Sequence, residues 1–110
     1  MRRLDITGLP DRPSDAAAAF HGEWMQRITV AVEDAVLIFM PADHTHTAWR
    51  IAAVQSLARE SAPARINAVA SSDPAAIDAA LAYLAGADGV TGQYLPLDSA
   101  GAGPVIPLPK

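Results

Sequence analysis

Cysteine is absent from the 110 residues, which excludes disulfides, thiolate metal sites and cysteine nucleophiles. Lysine is almost absent: seven of the eight basic residues are Arg, and the one Lys is Lys110. Chemistry that needs an ammonium group in the body of the fold is thereby excluded. No basic cluster stands beyond Arg2-Arg3 and the net charge is −4, which argues against a nucleic-acid surface. No apolar run approaches the ~18 residues that a bilayer span requires. The first ten residues carry two arginines but no apolar signal-peptide core. These absences lead to the expectation of a soluble cytoplasmic protein with neither a membrane nor a nucleic-acid partner.

What is present is a globular composition, 51% hydrophobic and 18% charged. Its length suits one domain over residues 1–100, followed by an extended Pro-rich tail over 101–110 with Pro104, Pro107 and Pro109. Alanine occupies 24 positions, which suits closely packed helices. Residues 3–8 open with the alternation Leu4-Asp5-Ile6-Thr7, as in a half-buried strand. Ser14 or Asp15 is placed to cap a helix over 16–33, with Phe20, Trp24, Ile28 and Ala31 or Val32 on its inner face. Ala35-Val36-Leu37-Ile38-Phe39-Met40 is continuously apolar, the pattern of a strand covered on both faces.

A second helix is expected over 47–61, with Thr45 or Thr47 as its cap. Ile51, Val54, Leu57 and Ala58 form one apolar stripe along it. Trp49, Ala52, Ala53 and Ser56 form another on nearly the opposite side. A strand over 65–70 follows, then a helix opened by Ser72 or Asp73 with Pro74 at its first position and closed by Gly86. A last strand over 93–97 contains Pro96, which suits a sheet edge. The order β-α-β-α-β-α-β predicts an α/β fold with about four parallel strands joined by right-handed crossovers. Helices are expected on both faces, those at 16–33 and 47–61 sharing one of them.

Two motifs carry a family resemblance. Ser56-Leu57-Ala58-Arg59-Glu60-Ser61-Ala62-Pro63, followed by Arg65-Ile66-Asn67-Ala68-Val69-Ala70, resembles the end of the catalytic helix and the next strand of the short-chain dehydrogenase/reductase family. The segment from Ala82 through Thr91-Gly92-Gln93 to Asp98 resembles that family's last helix, its T-G-Q turn and its final strand. The resemblance implies a truncated Rossmann-like, three-layer α/β/α architecture matching the family's C-terminal half. Residues 3–8 and 35–40 would match its fourth and fifth strands. It also implies a structural role for Asn67.

Departures from the family pattern fall on its chemistry. Counting back from Glu60, the family's Tyr falls on Asp43 and its Lys on Thr47. The serine after the fifth strand has no counterpart beside Met40-Pro41, and Ser71-Ser72 stands where the family has Pro-Gly. A Gly-rich phosphate loop ahead of a helix is not found; the glycines of residues 86–92 precede a strand. No catalytic residue and no nicotinamide cofactor are therefore expected. The resemblance implies a non-catalytic reductase-like protein, or pseudoenzyme, acting by self-association as a dimer or as accessory partner of a full-length reductase. Trp49, Ala52, Ala53 and Ser56 would form the interface.

The alternative is a small metal-dependent or ligand-binding enzyme. Asp43-His44-Thr45-His46-Thr47 follows a central strand, and two His with a carboxylate can ligate zinc. His21 lies away from this cluster in the first helix. Trp24 and Trp49 read as packing or interface residues. Arg50, Arg59 and Arg65 read as solvated or ion-paired side chains.

Overall fold

A computed structural model describes residues 1–29 and 33–97. Four strands, β1 (Arg2–Ile6), β2 (Ala35–Phe39), β3 (Ile66–Ala70) and β4 (Tyr94–Pro96), form one parallel sheet in the order β1-β2-β3-β4. The register aligns Leu4, Leu37, Ala68 and Tyr94 on one face, and Asp5, Ile38, Val69 and Leu95 on the other. Every residue of β2 and β3 is buried, as the continuous apolar run of β2 requires. Pro96 does lie in an edge strand. The expected tail over 101–110 and the inner-face positions Ala31 and Val32 fall outside the described residues.

Helices α1 (Pro13–Glu23), α2 (Met25–Thr29) and α3 (Thr47–Ser61) cover one face of the sheet. There Phe20, Ile28, Ala53, Val54 and Leu57 pack on Leu37, Phe39 and Ala68. Helix α4 (Pro74–Gly86) covers the other face, setting Ile77, Ala80 and Leu84 against Val36, Ile38 and Val69. The fold is thus an α/β fold of three layers, consistent with a truncated Rossmann-like architecture.

The expectation of uniformly right-handed crossovers is corrected. All three connections step the same way across the sheet, from β1 to β4. For parallel strands stepping in one direction, the face that carries the helix sets the hand. Because α3 and α4 lie on opposite faces, their crossovers have opposite hands, against the strong general preference for one hand. Burial explains the exception: Val36, Ile38 and Val69 lie on the face away from α3 and need a cover, which α4 supplies.

The first helical segment also departs from its reading. It starts at Pro13, whose fixed φ suits a first helical position, and Ala16 N–H donates to Arg12 O to close the first turn. Ser14 and Asp15 lie inside that turn and do not cap it. At Trp24 (φ −104°, ψ −35°) the path is disturbed, yet bonds from Trp24 N to Phe20 O and Ile28 N to Trp24 O continue across it. Helix α4 behaves as read: Asp73 caps it by accepting from Ala75 N at 3.1 Å, and Pro74 follows.

Arg65 ties the amino-terminal end of the sheet to α4. Its Nε donates to Asp34 Oδ2 at 3.1 Å and its Nη1 to the carbonyls of Leu84 and Ala87, at the helix end where a cation is favoured. Asp34 Oδ1 accepts from Arg65 N at 2.8 Å. The Arg65 amide, chiefly, and the Arg65 guanidinium hold the Asp34 carboxyl below its usual range, against an opposing push from desolvation.

A carboxyl lowered on folding stabilises the fold above the ordinary carboxylate range. That contribution disappears as pH falls through the lowered value. Asp34→Asn should therefore cost roughly 1 kcal/mol near neutral pH, a figure discounted because the carboxylate is partly exposed. The gap between variant and parent should close in acid. Urea unfolding across that pH range checks both the sign and the window.

Candidate functional site

Ligands of open parallel sheets bind beyond the carboxyl ends of the strands, and a cleft lies there among the described residues. It encloses about 350 Å³ beyond β1 and β2 and is lined by Thr7, Leu9, Asp11, Asp43, His46 and Arg50 among others. The loop after β1 forms one wall. Residues after β2 and the first turn of α3 form the opposite wall.

Asp43, His44 and His46 lie together in sequence but face different tasks. Asp43 caps a single 3₁₀ turn (His44–His46), accepting from Thr45 N at 3.0 Å and from the Thr45 hydroxyl. Helix α3 itself starts behind His46 with no side-chain cap, which corrects the expectation that Thr45 or Thr47 caps it. Those Thr45 bonds, the hydroxyl first, hold the Asp43 carboxyl below its ordinary value, against an opposing push from desolvation. His44 is exposed. His46 is buried, and both ring nitrogens are engaged: Nδ1 accepts from Trp49 Nε1 at 3.0 Å, and Nε2 donates to Asp11 O at 2.9 Å. An indole N–H can only donate, so this pattern assigns the neutral Nε2–H form. Neither nitrogen keeps a lone pair free for a metal. No group of three or more His, Cys, Asp or Glu side chains among the described residues is arranged to hold one.

The second α3 stripe is not one surface. Ala53 is 1% exposed and belongs to the chain's own core. Trp49 packs at 5.6 Å from Phe20 and 5.7 Å from Phe39, between ring centroids. Ala52 is exposed and Ser56 half-buried, and Ile51, grouped by sequence with the apolar stripe of Val54 and Leu57, is exposed rather than buried with them. The buried stripe runs through Arg50, Ala53, Val54, Leu57, Ala58 and Ser61.

Arg50 is the residue that the sequence reading misplaced. It is 5% exposed, with its guanidinium carbon 4.6 Å from the Phe39 ring centroid and near the rings of Trp49 and Tyr94. Nη1 donates to Met40 O and to Tyr94 Oη, each at 3.0 Å. Nε is buried without a partner, and no ion pair among the described residues includes Arg50. Arg65 is ion-paired as read, whereas Arg59 is exposed and donates to Ser56 Oγ. Helical spacing back from Val54 places position 50 in the buried stripe, a signal masked by the apolar character of its neighbour Ile51.

Asn67 has the structural role that the resemblance implied. It is buried; its Nδ2 donates to Val90 O and its Oδ1 accepts from Gln93 N, each at 3.0 Å, fixing the turn before β4. Gly92 in that turn has φ +75°, a conformation that glycine adopts without a Cβ penalty. That turn delivers Tyr94 to Arg50. His46→Phe would leave Asp11 O and Trp49 Nε1 without their partner and should lower stability by about 1–3 kcal/mol. Chemical denaturation measures the loss, and the indole N–H resonance of Trp49 should move at the same time.

A family model described as SDR-like, short chain dehydrogenase-like protein, matches residues 4–97. No curated protein and no solved structure matches the chain. The matched span reaches well ahead of the two motifs and takes in most of β1, then β2, β3 and β4 with the helices between them. With that span matched and the strand order and turn chemistry in place, the chain belongs to the short-chain dehydrogenase-like family.

Proposed function

We propose that this protein keeps the frame of its family without the proton-transfer chemistry and works by association, as a self-assembled module or an accessory partner of a full-length reductase. The observation that carries this reading is the pair of residues at positions 43 and 47. A family enzyme uses a phenol that gives or takes a proton and an ammonium that tunes it. Asp43 is instead a carboxylate held ionised by its cap to Thr45, a poor proton donor near neutral pH. Thr47 opens α3 and carries no positive charge.

Two surfaces support association. β1 pairs with β2 alone among the described residues, leaving one strand edge open, with Arg3 and Asp5 exposed along it and paired to each other at 3.1 Å. On α3, Ile51 and Ala52 are exposed, with Ser56 half-buried beside them, so the outer face combines one large apolar side chain with small neighbours. The interface is accordingly assigned to Ile51, Ala52 and Ser56, with Trp49 and Ala53 acting beneath it. Among the described residues no helix is long and apolar enough to cross a membrane.

Light scattering of the full chain at micromolar concentration should give a mass above the monomer. Ile51→Glu combined with Ala52→Glu should return it to monomer without unfolding, since both side chains are exposed. A monomeric mass that these substitutions leave unchanged contradicts self-association.

A further inference from the structure

A buried cation without a counter-charge is costly, and aromatic faces offset only part of that cost, so an anion that can reach the group gains from pairing with it. Arg50 meets that description. It is more than nine-tenths buried, it lines the 350 Å³ cleft, and no carboxylate among the described residues pairs with it. Both of its hydrogen bonds leave from Nη1. Nε is sealed without a partner, whereas Nη2 makes no hydrogen bond to the described residues and is not sealed, so Nη2 is the donor that an anion in the cleft can reach. Phe39, Trp49 and Tyr94 surround the group and fix its orientation.

We propose that the cleft beyond β1 and β2 binds a small organic carboxylate, with Arg50 as its anchor. The remaining lining selects among anions. Asp11 and Asp43 are exposed at the cleft. They oppose a doubly charged phosphate more than a singly charged carboxylate, and solvent screens them more than it screens the buried Arg50. His46, neutral and fully hydrogen-bonded, adds no charge. Ile6, Leu9 and Phe39 supply an apolar wall for the body of the ligand. The proposal requires no catalysis, and the cleft belongs to each chain whether or not the chain associates.

Phenylacetate, its neutral isostere phenylacetamide and inorganic phosphate are suitable probes. The Trp49 indole N–H resonance is the reporter, since that ring lies 5.8 Å from the Arg50 guanidinium carbon. Titration with phenylacetate should shift it saturably. Phenylacetamide should bind about ten- to a hundredfold more weakly, the loss expected when a charge-assisted hydrogen bond is removed. Arg50→Met, which keeps an apolar stem, should abolish the difference between the two probes, and Arg50→Lys should retain part of it. Equal binding of acid and amide to the parent protein overturns the proposal, as does no binding of either. Phosphate binding as tight as phenylacetate overturns the choice of carboxylate. The acid–amide comparison uses the unaltered protein, so it stands even if Arg50→Met fails to fold.

Discussion

Two strands buried on both faces set the terms for the rest of the molecule. β2 and β3 expose none of their ten residues, so each needs an apolar layer above and below. Fully burying a large apolar side chain is worth about 1.5–3 kcal/mol, so leaving either face uncovered would forfeit several such contributions in a small domain. α1, α2 and α3 meet the demand on one side and α4 on the other. The opposite hand of the last crossover follows from that demand. Polar ties then fix what burial alone leaves loose: Arg65 joins Asp34 to the end of α4, and Asn67 holds the turn that leads into β4.

The same frame produces the cleft. Phe39 ends β2 and meets Phe20, Trp49 and Tyr94, which arrive from three other elements. Arg50 sits in this aromatic enclosure one turn into α3, at the end of the sheet where α/β folds gather their ligands. His46 braces the opening by joining the loop after β1 to α3. Where the family places a phenol and an ammonium, this chain has a capping carboxylate and a threonine. Among the described residues, the strongly basic group buried at the cleft comes from a different position.

Much of the fold was legible because local chemistry and tertiary demand agree. The apolar run of β2, the Asp73-Pro74 start of α4 and Pro96 in an edge strand each state in sequence what the structure does. The failures share a cause. Hydropathy ranks Ile51 inward and Arg50 outward, while the helical repeat places position 50 in line with Val54, Leu57 and Ser61. An aromatic enclosure makes a buried guanidinium tolerable, and the rings that build it come from positions 39, 49 and 94, which no local pattern connects. The Asp43-His44-His46 cluster misled for a related reason. Spacing shows that imidazoles are near, but not that one already has both nitrogens engaged by Trp49 and Asp11.

The proposed loss of family chemistry from a retained family frame is tested most directly by the absorbance of reduced nicotinamide cofactors mixed with the full chain and a range of aldehydes and ketones. On that proposal no protein-dependent oxidation is expected with either NADH or NADPH, since a capped carboxylate at Asp43 and a hydroxyl at Thr47 stand where the phenol and ammonium would act. Protein-dependent oxidation that Asp43→Asn abolishes would contradict that claim and make Asp43 a working acid–base group.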